Sequence, residues 1–443
     1  MKNNLTEGSV LKNLIRFSLP YLLSCFLQTF YGLADLFITG QFNGADVITE
    51  VSVGSQVTHM LTVVIVGLAM GGTVAISHAV GADNKKEAEK AIGNTVTIFV
   101  IFATALTVVL LASVKEILSV LSVPEEAMGQ AVNYLTICFA GVPFITAYNI
   151  ISCIFRGLGD SKSPMYFVGI AGIINVALDY LLIGPFRMGA AGAALATVTA
   201  QGCSVVIALI SFRRMKQGIS VQKEDFRLSK ACVSRILNVG VPVAVQDGLV
   251  QIAFLVITVI ANKRGVDVAA AVGIVEKLIC FMFLVPSAML STVSAIAAQN
   301  AGAGLHERGK KALQYGILIT VGVGLIFTVI CELWAEPILK LFAEEEPVVI
   351  QMGAQYLRSY VFDCVFAGVH FCFSGYFCAY EKSVLSFIHN LTSILLVRIP
   401  GAYFASVMFP DTLFPMGIAA PAGSLLSSVI CLGMYLWLQK KNK

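Results

Sequence analysis

Two carboxylates stand where few are tolerated: Asp35 within FYGLADLFITG and Asp179 within GIINVALDYLLIG, each flanked by apolar residues. Asn175 precedes Asp179 by one helical turn, so on a helix the amide and the acid share a face. An acid in the middle of a membrane helix costs about 2.5–3.5 kcal/mol on insertion scales, so it persists mainly where it faces a cavity and has a task. Two such acids can take up a proton, because lost water and a neighbouring acid both favour the neutral form. The same oxygen-only set, joined by Thr197, equally suits a small hard cation such as sodium. Spacing alone leaves both ions open.

The second half of the chain carries a different set of charges: Asp247, Glu276 beside Lys277, Asp363 and Arg398. Internal pairing of Asp363 with Arg398, or of Asp247 with Lys277, would neutralise them inside the membrane. Gln246, Gln251, His370 and His389 could line a polar cavity, but each is expected to be a buried residue with its hydrogen bonds satisfied.

These residues need elements that span a bilayer. With 57% hydrophobic and 13% charged residues the chain is far too apolar for a soluble domain, which carries about 25% charge. Runs of the roughly 20 apolar residues a spanning helix needs fall near 14–39, 50–79, 91–113, 131–155, 164–184 and 190–212. Six more fall near 233–262, 269–300, 312–334, 353–379, 384–409 and 414–438. The fold class is therefore all-α and polytopic, with twelve transmembrane helices and none of the alternating strands of a membrane barrel.

The chain also repeats itself. SLPYLLSCFLQTFY is answered by GVPVAVQDGLVQIA, pairing Pro20 with Pro242, and GADNKKEAEKA by GAGLHERGKKA. AVNYL is answered by GAQYL, and MGAAGAALA by MGIAAPAGS. Four matches in one order at nearly one offset indicate duplication. Residues 1–212 and 233–443 are expected to form two six-helix lobes related by pseudo-twofold symmetry, with 213–232 as a basic linker. With the N-terminus inside, the inner segments hold 22 Lys and Arg and the outer loops five. Both termini are then expected on the cytoplasmic side, and the copies are parallel repeats suited to two rocking lobes. The linker's basic character follows from the same bias and needs no nucleic acid. The first apolar run is too long for a signal peptide and lacks its cleavage site. The eleven cysteines have no CxxC spacing, so neither a disulfide framework nor a metal site is expected. The N-x-T triplets at Asn4 and Asn390 fall in the tail and inside a span, where no glycan is expected.

Over almost its whole length the chain resembles the multidrug and toxic compound extrusion (MATE) transporters. LPYLLSCFLQTFYGLADLFITG, GLAMGGTVAISHAVGADNKKEA, FRGLGDSKSPMYF with INVALDYLLI, MGAAGAALATVTAQ and IAAQNAGAGLHERGKKA carry the likeness. It is most similar to the bacterial DinF-type branch, whose N-lobe coupling residues match Asp35, Asn149, Asn175, Asp179 and Thr197. The resemblance implies antiport: a proton or sodium ion enters while a small organic, often cationic, compound leaves. Tyr31, Phe30 and Asn149 would then line the substrate cavity, an aromatic face attracting a lipophilic cation. Pro20, lacking a backbone donor, would let the first helix bend. In another branch the sodium site uses acids that match Asp247 and Asp363, which makes these two the candidates for a second ion site. A monomer in the bacterial plasma membrane, surrounded by lipid and without a cofactor, is expected.

Three other readings were weighed. A flippase for lipid-linked precursors shares the architecture but wants several cavity bases, and only Lys277, Arg398 and Arg358 lie near membrane depth. An intramembrane aspartyl protease needs GLGD within a helix and a Tyr-Asp pair, whereas this GLGD sits in a charged turn and no such pair exists. A passive channel or scaffold is not favoured by acids placed in one copy. No P-loop, zinc motif or dinucleotide fingerprint occurs, so neither ATP use nor enzymatic chemistry is expected.

Overall fold

The computed structural model describes residues 5–120, 125–214, 219–343 and 346–441. Lys2, Asn4, Lys216 and Lys443, which bear on the tails and the linker, lie outside the described residues. In hydrocarbon every backbone donor must be satisfied within its own segment or a closed sheet. The described residues accordingly form helices and no strand.

The first copy comprises α1 (Val10–Phe42), α2 (Ala45–Gly81), α3 (Lys85–Ala112), a short α4 (Val114–Val120), α5 (Glu125–Ala140), α6 (Val142–Gly157), α7 (Lys162–Ile183) and α8 (Gly189–Arg214). The second comprises α9 (Lys230–Asn262), α10 (Val266–Met282), α11 (Leu284–Gly302), α12 (His306–Lys340), α13 (Pro347–Tyr360), α14 (Asp363–Ala379), α15 (Ser383–Ser393), α16 (Ile399–Met408) and α17 (Phe414–Lys441). A π-helical turn, Ile394–Arg398, joins α15 to α16. Eleven of these helices or helix runs are long and apolar enough to cross a membrane, and the bent pair α5–α6 makes a twelfth.

Hydropathy does not show where spans break. α5 and α6 meet at 44°, where Pro143 in the first turn of α6 lacks the N–H that would carry α5 onward. A Cβ on the adjoining Gly141 would stand 2.3 Å from Val198, so bare backbone lets α8 approach the break. Similar contacts hold the second copy, where a Cβ on Gly375 of α14 would lie 2.3 Å from the Leu290 carbonyl of α11. Large apolar side chains such as Phe37, Ile173 and Leu396 stay exposed along these helices, the surface expected of helices in lipid.

Residues 19–237 form one compact unit, and residues 6–18 with 238–443 the other. The division therefore does not coincide with the linker expected at 213–232, because α1 and α9 each run through it as single helices. In the first unit, Asn94 of α3 donates to the carbonyls of Asp225 (3.0 Å) and Arg227 (3.2 Å) and accepts from Ser229 N (2.8 Å). These bonds fasten the described part of the linker to α3. In the second unit, Arg308 of α12 plays the corresponding part, donating to the carbonyls of Gly8 (2.8 Å) and Glu7 (3.1 Å) and to Asn300 Oδ1 (2.9 Å). The segment leading into each copy is thus held by a helix of the other.

Candidate functional site

Three helices of the first unit bring four of the expected residues together. Asp35 lies on the C-terminal half of α1, Asn175 and Asp179 lie one turn apart on α7, and Thr197 lies on α8. α8 opens with GAAGAALA, and these small residues let it pack closely on α7. The Thr197 hydroxyl donates to Asp35 Oδ2 at 3.2 Å and accepts from Asn175 Nδ2 at 3.4 Å. Asp35, Asn175 and Asp179 are all buried.

The Asp35 and Asp179 carboxyls approach within hydrogen-bonding reach of each other. Both are acceptors when ionised, so that contact becomes a bond only if one of them holds a proton. Neither Asp179 oxygen meets a donor group, and Asp35 Oδ1 and Asn175 Oδ1 lack one as well. Four buried acceptors without donors are costly. Chemically, such a set of oxygens can take up a proton or coordinate a hard cation.

The other expected residues fall around this cluster or away from it. Tyr31 is one turn before Asp35 on α1, and its hydroxyl accepts from Gln201 Nε2 of α8 at 3.2 Å. Gln201 was missed in the sequence, although it follows Thr197 at the same four-residue spacing that links Asn175 to Asp179. Phe30 points elsewhere: it is 61% exposed and stacks on Phe26 at 6.5 Å. Asn149 is buried on α6, but its amide donates to Ile145 O at 2.8 Å and no hydrogen bond joins it to the four. α1 continues as one helix through Pro20, whose carbonyl accepts from Ser24 Oγ at 2.9 Å.

In the second unit, one of the two expected pairings forms. Arg398 Nη2 lies 3.7 Å from Asp363 Oδ2 and also donates to the Tyr360 hydroxyl. Asp247 and Lys277 form no ion pair among the described residues, and Lys277 is exposed. The acid next to Lys277, Glu276, instead accepts from Thr258 Oγ1 at 3.1 Å. His389 bonds Ser374 at 2.9 Å, with the His370 ring 5.5 Å from its own.

A duplicated bundle of apolar helices, with an acid and amide cluster sealed into one copy, defines a polytopic membrane transporter rather than an enzyme. The chain belongs to the MatE family, whose model matches it twice, over residues 20–181 and 242–404. The two matches begin at Pro20 and Pro242, the prolines that the internal repeat pairs. Among its relatives is the "Probable multidrug resistance protein YpnP" of Bacillus subtilis, 30% identical over 400 residues, covering 89% of this chain and 88% of that one. Another, the "Probable multidrug resistance protein YoeA" of the same organism, is 25% identical over 445 residues, 99% and 96% of the two chains. A solved structure described as the outward-facing conformation of a multidrug resistance MATE family transporter superposes with a TM-score of 0.91. It is 22% identical and covers 100% of this chain and 98% of that one, a likeness of fold.

Proposed function

We propose that the protein is a secondary antiporter that exports small organic, lipophilic and cationic compounds from a bacterial cell in exchange for protons or sodium ions. The observation that carries this is the cluster of Asp35, Asn175, Asp179 and Thr197, in which four buried oxygens lack donors. An entering proton or sodium ion relieves that cost, whereas its departure leaves negative charge that attracts an organic cation, with Tyr31 one turn away. Competition between ion and cargo for the same carboxylates couples the two fluxes. Alternating access through the two copies, both termini on the cytoplasmic side and a monomeric state complete the reading. It is supported by the bias of Lys and Arg between loops and by the names of the relatives.

The test is transport of a fluorescent lipophilic cation in proteoliposomes, with pH and sodium gradients imposed separately. Asp35→Asn and Asp179→Asn are each expected to abolish gradient-driven movement while the protein stays folded. Normal transport by both variants would remove the cluster from the coupling mechanism. Movement of pyrophosphate-linked lipids alone would end the drug-antiport reading.

A further inference from the structure

The second copy does not repeat the first copy's cluster, and the structure shows what stands there instead. Pro20 pairs with Pro242 at an offset of 222, and at the same offset Gly159 and Glu381 both take positive φ after α6 and α14. Beyond that point the π-helical turn Ile394–Arg398 spends one extra residue. The register then sets Arg398 against Asn175 and Ala402 against Asp179. Ala402 is fully packed in the apolar core of its unit. The acids of this unit come from other helices: Asp363 at the start of α14 and Glu276 on α10.

The surroundings of Arg398 are those of a bound cation more than of a structural ion pair. Its guanidinium lies 5.0 Å from the Phe254 ring, an aromatic face of the kind that holds positive charge, and it meets Tyr360 through the hydroxyl, to which it donates. A structural Arg–carboxylate pair is commonly bidentate at about 2.8 Å, whereas Arg398 reaches Asp363 only at 3.7 Å. Asp363 is fully buried, with the Ser424 hydroxyl as a neutral polar neighbour, so this guanidinium is the charge paired with it.

We propose that Arg398 is a tethered cation: its guanidinium permanently fills a cation cage of Phe254, Tyr360 and Asp363, so that the second unit takes up no exchangeable ion. The cage would otherwise accept a monovalent cation, either sodium or a planar organic cation of guanidinium size. This goes beyond the antiport reading and stands or falls in the other unit.

The experiment measures radioactive sodium binding to the purified full-length protein, together with thermal shifts on adding guanidinium chloride. The variants are R398Q, R398A, R398K, D363N and R398Q/D363N. R398Q is expected to gain one bound sodium per chain relative to wild type and to lose it in R398Q/D363N. R398A is expected to be restabilised by guanidinium, whereas R398K, which keeps a tethered charge, gains neither response. Wild-type sodium binding that falls with D363N alone would mean the cage is already open, and the proposal would be wrong. It would be equally wrong if R398Q and R398A, folded or not, responded to neither cation. Transport defects of Asp35→Asn do not bear on this result, so the two readings can fail separately.

Discussion

Thr197 offers the sharpest test of how the first-unit cluster works, because its hydroxyl is bonded on both sides. Thr197→Val keeps the side-chain shape and removes the donor to Asp35 at 3.2 Å and the acceptor from Asn175 at 3.4 Å. Hydrogen bonds to charged groups contribute about 1.5–3 kcal/mol and neutral ones about 0.5–1.5 kcal/mol. Both bonds are long, so the lower ends apply and together give about 2 kcal/mol, or about 30-fold in affinity. If the proton is the coupling ion, losing the bonds that hold the unprotonated cluster should tighten proton binding by up to about that factor and move the pH dependence of transport accordingly. If sodium is, losing an oxygen ligand should work the opposite way and raise the half-saturating sodium concentration. Thr197→Ser retains the hydroxyl and should behave as wild type. The assay is initial-rate efflux of a fluorescent cation from proteoliposomes across a series of sodium concentrations and a series of pH values. Unchanged dependence on both ions in Thr197→Val, with normal folding, would refute the role given to this hydroxyl.

Helix packing gives a second prediction. A Cβ on Gly54 of α2 would stand 2.2 Å from the Tyr134 ring of α5, while one on Gly32 of α1 would meet nothing within 4 Å. Gly54→Ala should therefore lower thermal stability by the overpacking cost of about 1–3 kcal/mol, and Gly32→Ala should leave it equal or raised. Melting in detergent checks both, and equal stability of the two variants would contradict the packing. A third concerns the linker. Asn94→Ala removes three bonds to residues 225–229, so trypsin should cut at Lys223 or Arg227 faster than in wild type, and an unchanged rate would show the clamp to be dispensable.

The twelve spans were legible because a membrane helix is written in composition over a long window, and boundaries shift little when the signal is that strong. The breaks were not. Pro143 stands inside an apolar run that reads as one span, the approach of α8 at Gly141 depends on Val198, remote in sequence, and the π turn at Ile394–Arg398 has no periodic signature. The cluster of Asp35, Asn175, Asp179 and Thr197 could be assembled from sequence because each polar residue interrupts an otherwise apolar helix. Phe30 could not be sorted from Tyr31 in the same way: adjacent residues on a helix face about 100° apart, and only a structure shows which face meets α7 and α8. The compact units divide after Leu237 and exchange residues 6–18, which a linker read from charge does not show, because Asn94 and Arg308 fasten the leading segments by hydrogen bonds to carbonyls that leave no mark in the side-chain pattern.

Duplication builds both copies from the same spans, so on the proposed antiport the difference in charge between them is what lets one copy exchange an ion. In the first, two facing acids have no cation of their own, and a buried pair of that kind stays uncompensated until something enters. In the second, Asp363 sits 3.7 Å from an arginine that cannot leave and that stays charged at any physiological pH. A cation arriving from solution therefore gains full electrostatic stabilisation only in the first unit. If each unit could be vacated and filled, two ions could cross per cargo and half-filled cycles would leak. On the proposed antiport, one open and one permanently occupied site confine exchange to the carboxylates for which the cargo also competes.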